Sequence, residues 1–236
     1  MKSTVIVTGG TKGLGRETSL AFGRAGCHVI ALYAGDQAAA RAWEADCAQA
    51  QISGIAIQHE VTATDSALWQ RPDIVEADDL TLVHNACAPF TPQPMHQLTW
   101  ADFERNHRVA VHGAWQCSQP LIRLMLRKKR GTLITVLSAA VEGHPPKGFA
   151  AYVTAKHALR GFTLALAAEY SPRGLRIFSV SPGYMETALT NQWDERLRQG
   201  IRDHAERLTQ PVEAAARIVE LARRADTAGQ GENYPL

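Results

Sequence analysis

Six short apolar runs punctuate the chain: STVIV, HVIALY, GIAIQ, LTLVHN, GTLITVL and LRIFSV. Each is rich in branched residues, lacks an in/out alternation and has the length of a strand buried on both faces. Between them, at 17–24, 37–51, 101–127 and 151–170, apolar side chains return every three or four residues, as on amphipathic helices. Strands and helices in strict alternation predict right-handed crossovers and a parallel sheet with helices on both faces, the doubly wound α/β architecture. No repeat, linker or low-complexity stretch interrupts the alternation, so residues 1–236 read as one domain. The connection APFTPQPMHQLT holds three prolines and reads as an ordered loop.

Composition narrows the picture without naming a function. A 236-residue chain that is 45% hydrophobic can bury a sizeable core. Its 25 basic and 23 acidic residues form no long one-sign block, so no nucleic-acid surface is expected, with RKKR at 127–130 a local exception. Cys27, Cys47, Cys87 and Cys117 form no CxxC pair and suit small buried residues in a reducing compartment. Neither they nor the nine histidines have metal-ligand spacing, so no metal is expected. The first apolar run is far too short for a signal peptide and no stretch approaches about 18 apolar residues, which predicts a soluble, cytoplasmic protein without a membrane span.

Chemistry enters at TGGTKGLG, between the first strand and first helix. Three glycines at such a junction cost roughly 1 kcal/mol each against alanine. In a doubly wound sheet this turn receives a pyrophosphate, because unpaired amides and the helix dipole attract the anion and only glycine lets the backbone come close. That reading places Thr8, Gly9, Thr11, Lys12, Gly13, Leu14 and Gly15 against a dinucleotide; a tight packing turn would use the same glycines.

The stretch SAAVEGHPPKGFAAYVTAK favours the dinucleotide. Tyr152 and Lys156, four apart at the start of a helix, project from one face, and Ser138 ends the strand before them. Here the sequence resembles the short-chain dehydrogenase/reductase family, and within it the 3-oxoacyl-[acyl carrier protein] reductases, over nearly the whole chain. The resemblance implies a single Rossmann domain. It matches Thr8, Gly9, Gly13 and Gly15 to the cofactor turn, Asn85-Ala86 to the motif after strand four, and Ser138, Tyr152 and Lys156 to the catalytic residues. Pro182-Gly183, followed by Met185 and Thr187, matches the nicotinamide-side loop. It implies reduction of a ketone to an alcohol by hydride transfer with Tyr152 as proton donor, Ser138 holding the substrate oxygen, and Lys156 lowering the phenol pKa from about 10 and binding the ribose.

The cofactor is read as NADPH over NADH. NAD-binding members carry a carboxylate at the end of strand two, where this chain has Tyr33; Asp36 reads as a helix N-cap. Lys12 matches the basic residue of NADP-binding members, and Glu60 with Val61 takes the place of the adenine-side aspartate and its neighbour.

Several positions depart from the pattern. The family's fourth catalytic residue, an asparagine that holds a relay water, is Ala110 here, and Asn106 lies one helical turn earlier. The loop VEGHPPKGFA, with His144, is expected to line the substrate pocket, as are Met185, Leu189 and Trp193 in the amphipathic segment matching the family's mobile lid. The RKKR patch and Arg173 match the surface that meets an acidic acyl carrier protein; a solvated helix end fits them equally. The chain end GQGENYPL lacks the family's double glycine. The resemblance further implies a homodimer or homotetramer built on the two long helices, and a small-molecule or carrier-bound ketone, most simply a 3-oxoacyl thioester of fatty-acid or polyketide biosynthesis. The alternative is a cofactor-binding partner or regulatory subunit with little activity of its own.

Overall fold

The structure, a computed structural model, describes residues 2–205, 208–224 and 230–236. In chain order the elements are β1 (Ser3–Thr8), α1 (Gly13–Arg24), β2 (His28–Tyr33), α2 (Gln37–Gln49), β3 (Gly54–Gln58), the short α3 (Pro72–Val75), β4 (Asp79–His84), α4 (Trp100–His107), α5 (Gly113–Lys128), β5 (Gly131–Val136), α6 (Ala150–Tyr170), β6 (Leu175–Ser181), α7 (Glu195–His204), α8 (Pro211–Arg223) and β7 (Gln230–Pro235). The strands form one parallel sheet in the order β3-β2-β1-β4-β5-β6-β7. This is the expected doubly wound architecture.

Strand periodicity divides the core. Val5 and Val7 of β1 point to the layer of α1, α2 and α8, where they meet Leu20, Trp43 and Ile218. Ile6, between them, points to the opposite layer with Leu121 and Met125 of α5 and Ile74 of α3. All these side chains are at most 2% exposed. A strand buried on both faces needs apolar residues at every position, which is why the inner runs show no alternation, whereas β3, at one edge of the sheet, is only half-buried.

The structure corrects the reading in three places. β7, QGENYP, is a seventh strand with no apolar run; at the sheet edge it pairs with β6 alone, and an edge strand tolerates polar residues and a terminal proline. The helix expected over 101–127 is divided: α4 and α5 are joined by a π-helical turn at Arg108–His112, whose wider ring inserts one residue and re-aims the side chains there. Helix α2 ends at Gln49, before Gln51 adopts a left-handed φ of 53°. Its beginning is as expected, the Asp36 carboxylate accepting from the Ala39 amide at 3.0 Å.

Candidate active site

The strand order reverses between β1 and β4, so the connections leaving their carboxyl ends diverge and open a crevice. A cleft of about 370 Å³ occupies it, lined by Gly9, Lys12–Gly15, the Asn85–Cys87 segment, Ser138, Tyr152, Lys156 and the loop from Pro182 onward.

The glycine-rich turn is built for close approach. Gly9 and Gly13 have φ of +64° and +53°, open to glycine at no steric cost. A Cβ on Gly15 would collide with the Gly9 carbonyl. Thr8 and Asn85 hold the turn to β4: Thr8 Oγ1 accepts from the Asn85 and Ala86 amides at 3.0 Å each, and Asn85 Nδ2 donates to the Thr8 and Gly9 carbonyls at 3.0 and 3.2 Å. Lys12, the N-cap of α1, provides no side-chain cap, so the first amides of the helix face the cleft. A bare helix start beside left-handed glycines fits the pyrophosphate of a dinucleotide.

Ser138 follows β5 by two residues in extended conformation and its hydroxyl accepts from the Ala140 amide at 3.2 Å, which orients it from behind. Tyr152 and Lys156 rise from the first two turns of α6. Lys156 is 3% exposed; its Nζ donates to the Val136 carbonyl at 2.7 Å and lies 5.7 Å from the centre of the Tyr152 ring. Burial lowers the Lys156 pKa, opposed by the neighbouring Cys87. Burial and then Cys87 push the Tyr152 phenol well above its usual range, while its hydrogen bond with Ser138 pulls the other way. The expected fall of the phenol pKa is therefore reversed in the chain alone. Desolvation penalises a phenolate, and Lys156 is engaged with a backbone carbonyl.

Met185, Thr187, Leu189 and Trp193 line the cleft, as does Leu14. Of the loop at 141–150 only Phe149 does so, and His144 does not. Tyr33 is half-buried at the end of β2, Thr11 is buried in the turn, and Glu60 is exposed after β3. The Val61 side chain packs against Gly113 and lines a separate small cavity beside Ala110. Asn106 is buried and donates to the Asp102 carbonyl at 3.0 Å within its own helix, so it does not stand in for the absent asparagine. The sequence reading missed Cys87 and Phe90, while Phe149 and Tyr184 fall in the loop and the segment it expected at the pocket without being singled out. Phe90 lies five residues after Asn85, and that proximity was the only available signal for it.

The described residues include no cluster able to hold a metal ion, and no described helix is long and apolar enough to cross a membrane. What the cleft does hold is a glycine-rich turn, a buried Tyr–Lys pair and a serine. Residues 3–198 match the sequence model for short chain dehydrogenase. The chain belongs to that family. Its short-chain dehydrogenase relatives include the acetoacetyl-CoA reductase of Allochromatium vinosum, 28% identical over all of this chain and 97% of that protein. A 3-oxoacyl-[acyl-carrier-protein] reductase of Synechocystis is 29% identical over 92% of this chain and 87% of that one. Among solved structures, a short-chain type dehydrogenase/reductase from Mycobacterium marinum superposes with a TM-score of 0.85 at 25% identity, covering 99% of this chain and 93% of the other. A Beutenbergia cavernae structure with NADP bound at low occupancy superposes with a TM-score of 0.85 at 26% identity, covering 99% and 94%. The protein is thus a short-chain oxidoreductase of a family that binds NAD(P).

Proposed function

We propose that this short-chain dehydrogenase is an NADPH-dependent ketoreductase acting on a 3-oxoacyl thioester or a related ketone. The observation that carries the reading is the convergence of Ser138, Tyr152 and Lys156 on one cleft with the glycine-rich turn. The relatives named for acetoacetyl-CoA and 3-oxoacyl-carrier substrates support the substrate class.

The turn would hold NADPH, whose chemistry there would be delivery of a hydride to the ketone carbon. The chain's own residues do the rest. Ser138 and Tyr152 hydrogen-bond the carbonyl oxygen and hold it against the cofactor side of the cleft. As negative charge develops on that oxygen, the Tyr152 hydroxyl hands over its proton, completing the addition of one hydride and one proton. Lys156 sits where its charge stabilises the phenolate that remains, and a ribose hydroxyl would draw it from the Val136 carbonyl. A phenol that keeps its proton in the free chain suits the reductive direction. Thr187, close to Gly13, and Pro182-Gly183 would hold the nicotinamide end.

Trp115 on α5 and Leu164 on α6 are 46% and 48% exposed, and they support self-association through these two helices into a dimer or tetramer. The absence of an asparagine at Ala110 is the observation that favours the second reading, a cofactor-binding subunit with little activity. NADPH oxidation followed with a panel of free and carrier-bound 3-oxoacyl substrates decides between them. Turnover supports the ketoreductase, whereas tight NADPH binding with no turnover of any ketone supports the subunit.

A further inference from the structure

Three aromatic side chains from distant segments converge beside the reacting hydroxyl. Phe90, from the loop after β4, lies parallel to the Tyr152 ring, centroids 4.8 Å apart and planes 14° from each other. Phe149, immediately before α6, meets Tyr152 and Phe90 edge-on at 5.9 and 5.3 Å. Trp193, just before α7, meets Phe90 and Phe149 edge-on at 5.3 and 5.5 Å. Its Nε1 donates to the Phe90 carbonyl at 2.7 Å and ties the segment before α7 to the loop after β4. Phe149 and Trp193 are 7% and 6% exposed, so these rings form a fixed wall.

All three rings line the cleft together with Leu137, Pro89 and Leu189. Among the described residues lining it, the charged ones are Lys12, in the nucleotide turn, and Lys156, beneath Tyr152. The part of a substrate beyond its reacting carbonyl therefore meets aromatic rings, apolar side chains and the neutral Thr190 and Gln192, and no fixed charge. Such a surface makes edge-to-face contact with flat π systems, a gain a flexible alkyl chain does not obtain, and a flat ring loses little conformational freedom on entry.

We propose that Phe90, Phe149 and Trp193 make this enzyme selective for ketones carrying an aromatic or other planar unsaturated ring next to the reacting carbonyl, so that aryl 3-oxo esters and thioesters are preferred over straight-chain ones. The inference rests on the ketoreductase reading and specifies its substrate.

The test compares kcat/KM for ethyl benzoylacetate and ethyl acetoacetate with saturating NADPH. The expected ratio favours the aryl ester by about tenfold, and Phe90→Leu and Trp193→Leu each reduce that ratio about 3–10-fold, chiefly through KM. NADPH affinity measured on each variant reports whether the fold and nucleotide half survive; where a variant fails to fold, the ratio in the unaltered protein decides. A ratio of one or below in the unaltered protein, or an unchanged ratio in variants that bind NADPH normally, overturns the inference and leaves the ketoreductase reading standing. Reduction of neither ester, nor of any other 3-oxoacyl substrate, removes both.

Discussion

Lys12 and Asp36 form an ion pair, Nζ to Oδ2 at 2.9 Å, between the glycine-rich turn and the start of α2. Asp36 is held there because its other oxygen caps α2, and the Ala39 amide followed by Lys12 keeps its carboxyl below the usual range. The cation expected to meet a 2′-phosphate is thus already paired, and its partner is an anion that the phosphate would meet next. NADPH is expected to bind at least about tenfold more tightly than NADH, since a charge-assisted contact to phosphate outweighs an exposed ion pair. Lys12→Ala should narrow the difference and Asp36→Asn should widen it. Dissociation constants for both nucleotides check this, and equal values in the unaltered protein, or a narrowed difference in Asp36→Asn, would count against it.

Tyr152→Phe should abolish turnover and leave nucleotide binding largely intact. The pH dependence follows from the raised phenol pKa. Reduction needs the protonated phenol, so its rate persists from pH 6 to 10, below the raised phenol pKa. Oxidation of the alcohol needs the phenolate and rises with pH over the same range. Rates measured in both directions between pH 6 and 10 provide the check, and an oxidation rate that falls as pH rises would refute the role given to Tyr152.

The sheet was legible because buried parallel strands must be apolar throughout, as Val5, Ile6 and Val7 are, each at 0% exposure. β7 was not, since an edge strand pairing on one side can be QGENYP. The glycine-rich turn and the grouping of Ser138, Tyr152 and Lys156 in one cleft were legible because left-handed glycines and side chains four apart on a helix fix both residue type and spacing. The aromatic cluster was legible only in part: Trp193 and the loop holding Phe149 were expected at the pocket, but Phe90 lies 103 residues from Trp193 and nothing local distinguishes it from an ordinary apolar residue. Direction of ionisation was also hidden, because it depends on burial and on where the Lys156 amine points.

His84 is a buried residue with a consequence for acid stability. Its Nε2 pairs with Ser118 Oγ at 2.8 Å, and burial lowers its pKa to about 3. Between that value and the unfolded pKa near 6.5, the unfolded chain binds a proton that the folded chain excludes. Stability is therefore full above about pH 6.5 and declines as pH falls toward 3, at up to about 1.4 kcal/mol per pH unit. Melting temperature recorded from pH 8 to 4 should fall below pH 6.5, and His84→Gln should flatten the fall. An unchanged slope in that variant would assign the acid sensitivity elsewhere.

The basic patch is part structure and part surface. Lys128 donates to the carbonyls of Val75, at 2.9 Å, and Ala77, and Arg130 pairs with Asp79 at 3.0 Å. Lys128→Met should lower stability by about 1 kcal/mol, a fall of about 2–4 °C in melting temperature for a chain of this size. Arg127→Glu with Lys129→Glu changes exposed charges instead. That pair should raise KM for a carrier-bound substrate and leave small ketones unaffected, because a rim charge acts on encounter. Equal effects on both substrate types would make the patch a solvated helix end.

Ala110 tests the site most directly. It lies in the π-helical turn and lines a cavity of about 10 Å³ with Thr8, Val61, His84, Ala86, Val109, Gly113, Ala114 and Leu159. That space is about what one water needs and less than an asparagine side chain occupies. The unaltered protein should therefore remain active, since a positioned proton-transfer group contributes about 10²–10⁴-fold and a relay water is only one part of such a path. Ala110→Asn should overpack the cavity, cost about 1–3 kcal/mol and lower kcat, whereas Ala110→Ser, which adds one oxygen, should keep both stability and rate. Melting temperature and kcat measured on both variants separate packing from chemistry. If Ala110→Asn instead raises kcat without loss of stability, the neighbours yield and the missing amide limits the natural enzyme. If the unaltered protein binds NADPH yet reduces no ketone while Ala110→Asn confers turnover, the ketoreductase reading fails for the natural chain and the partner-subunit reading takes its place.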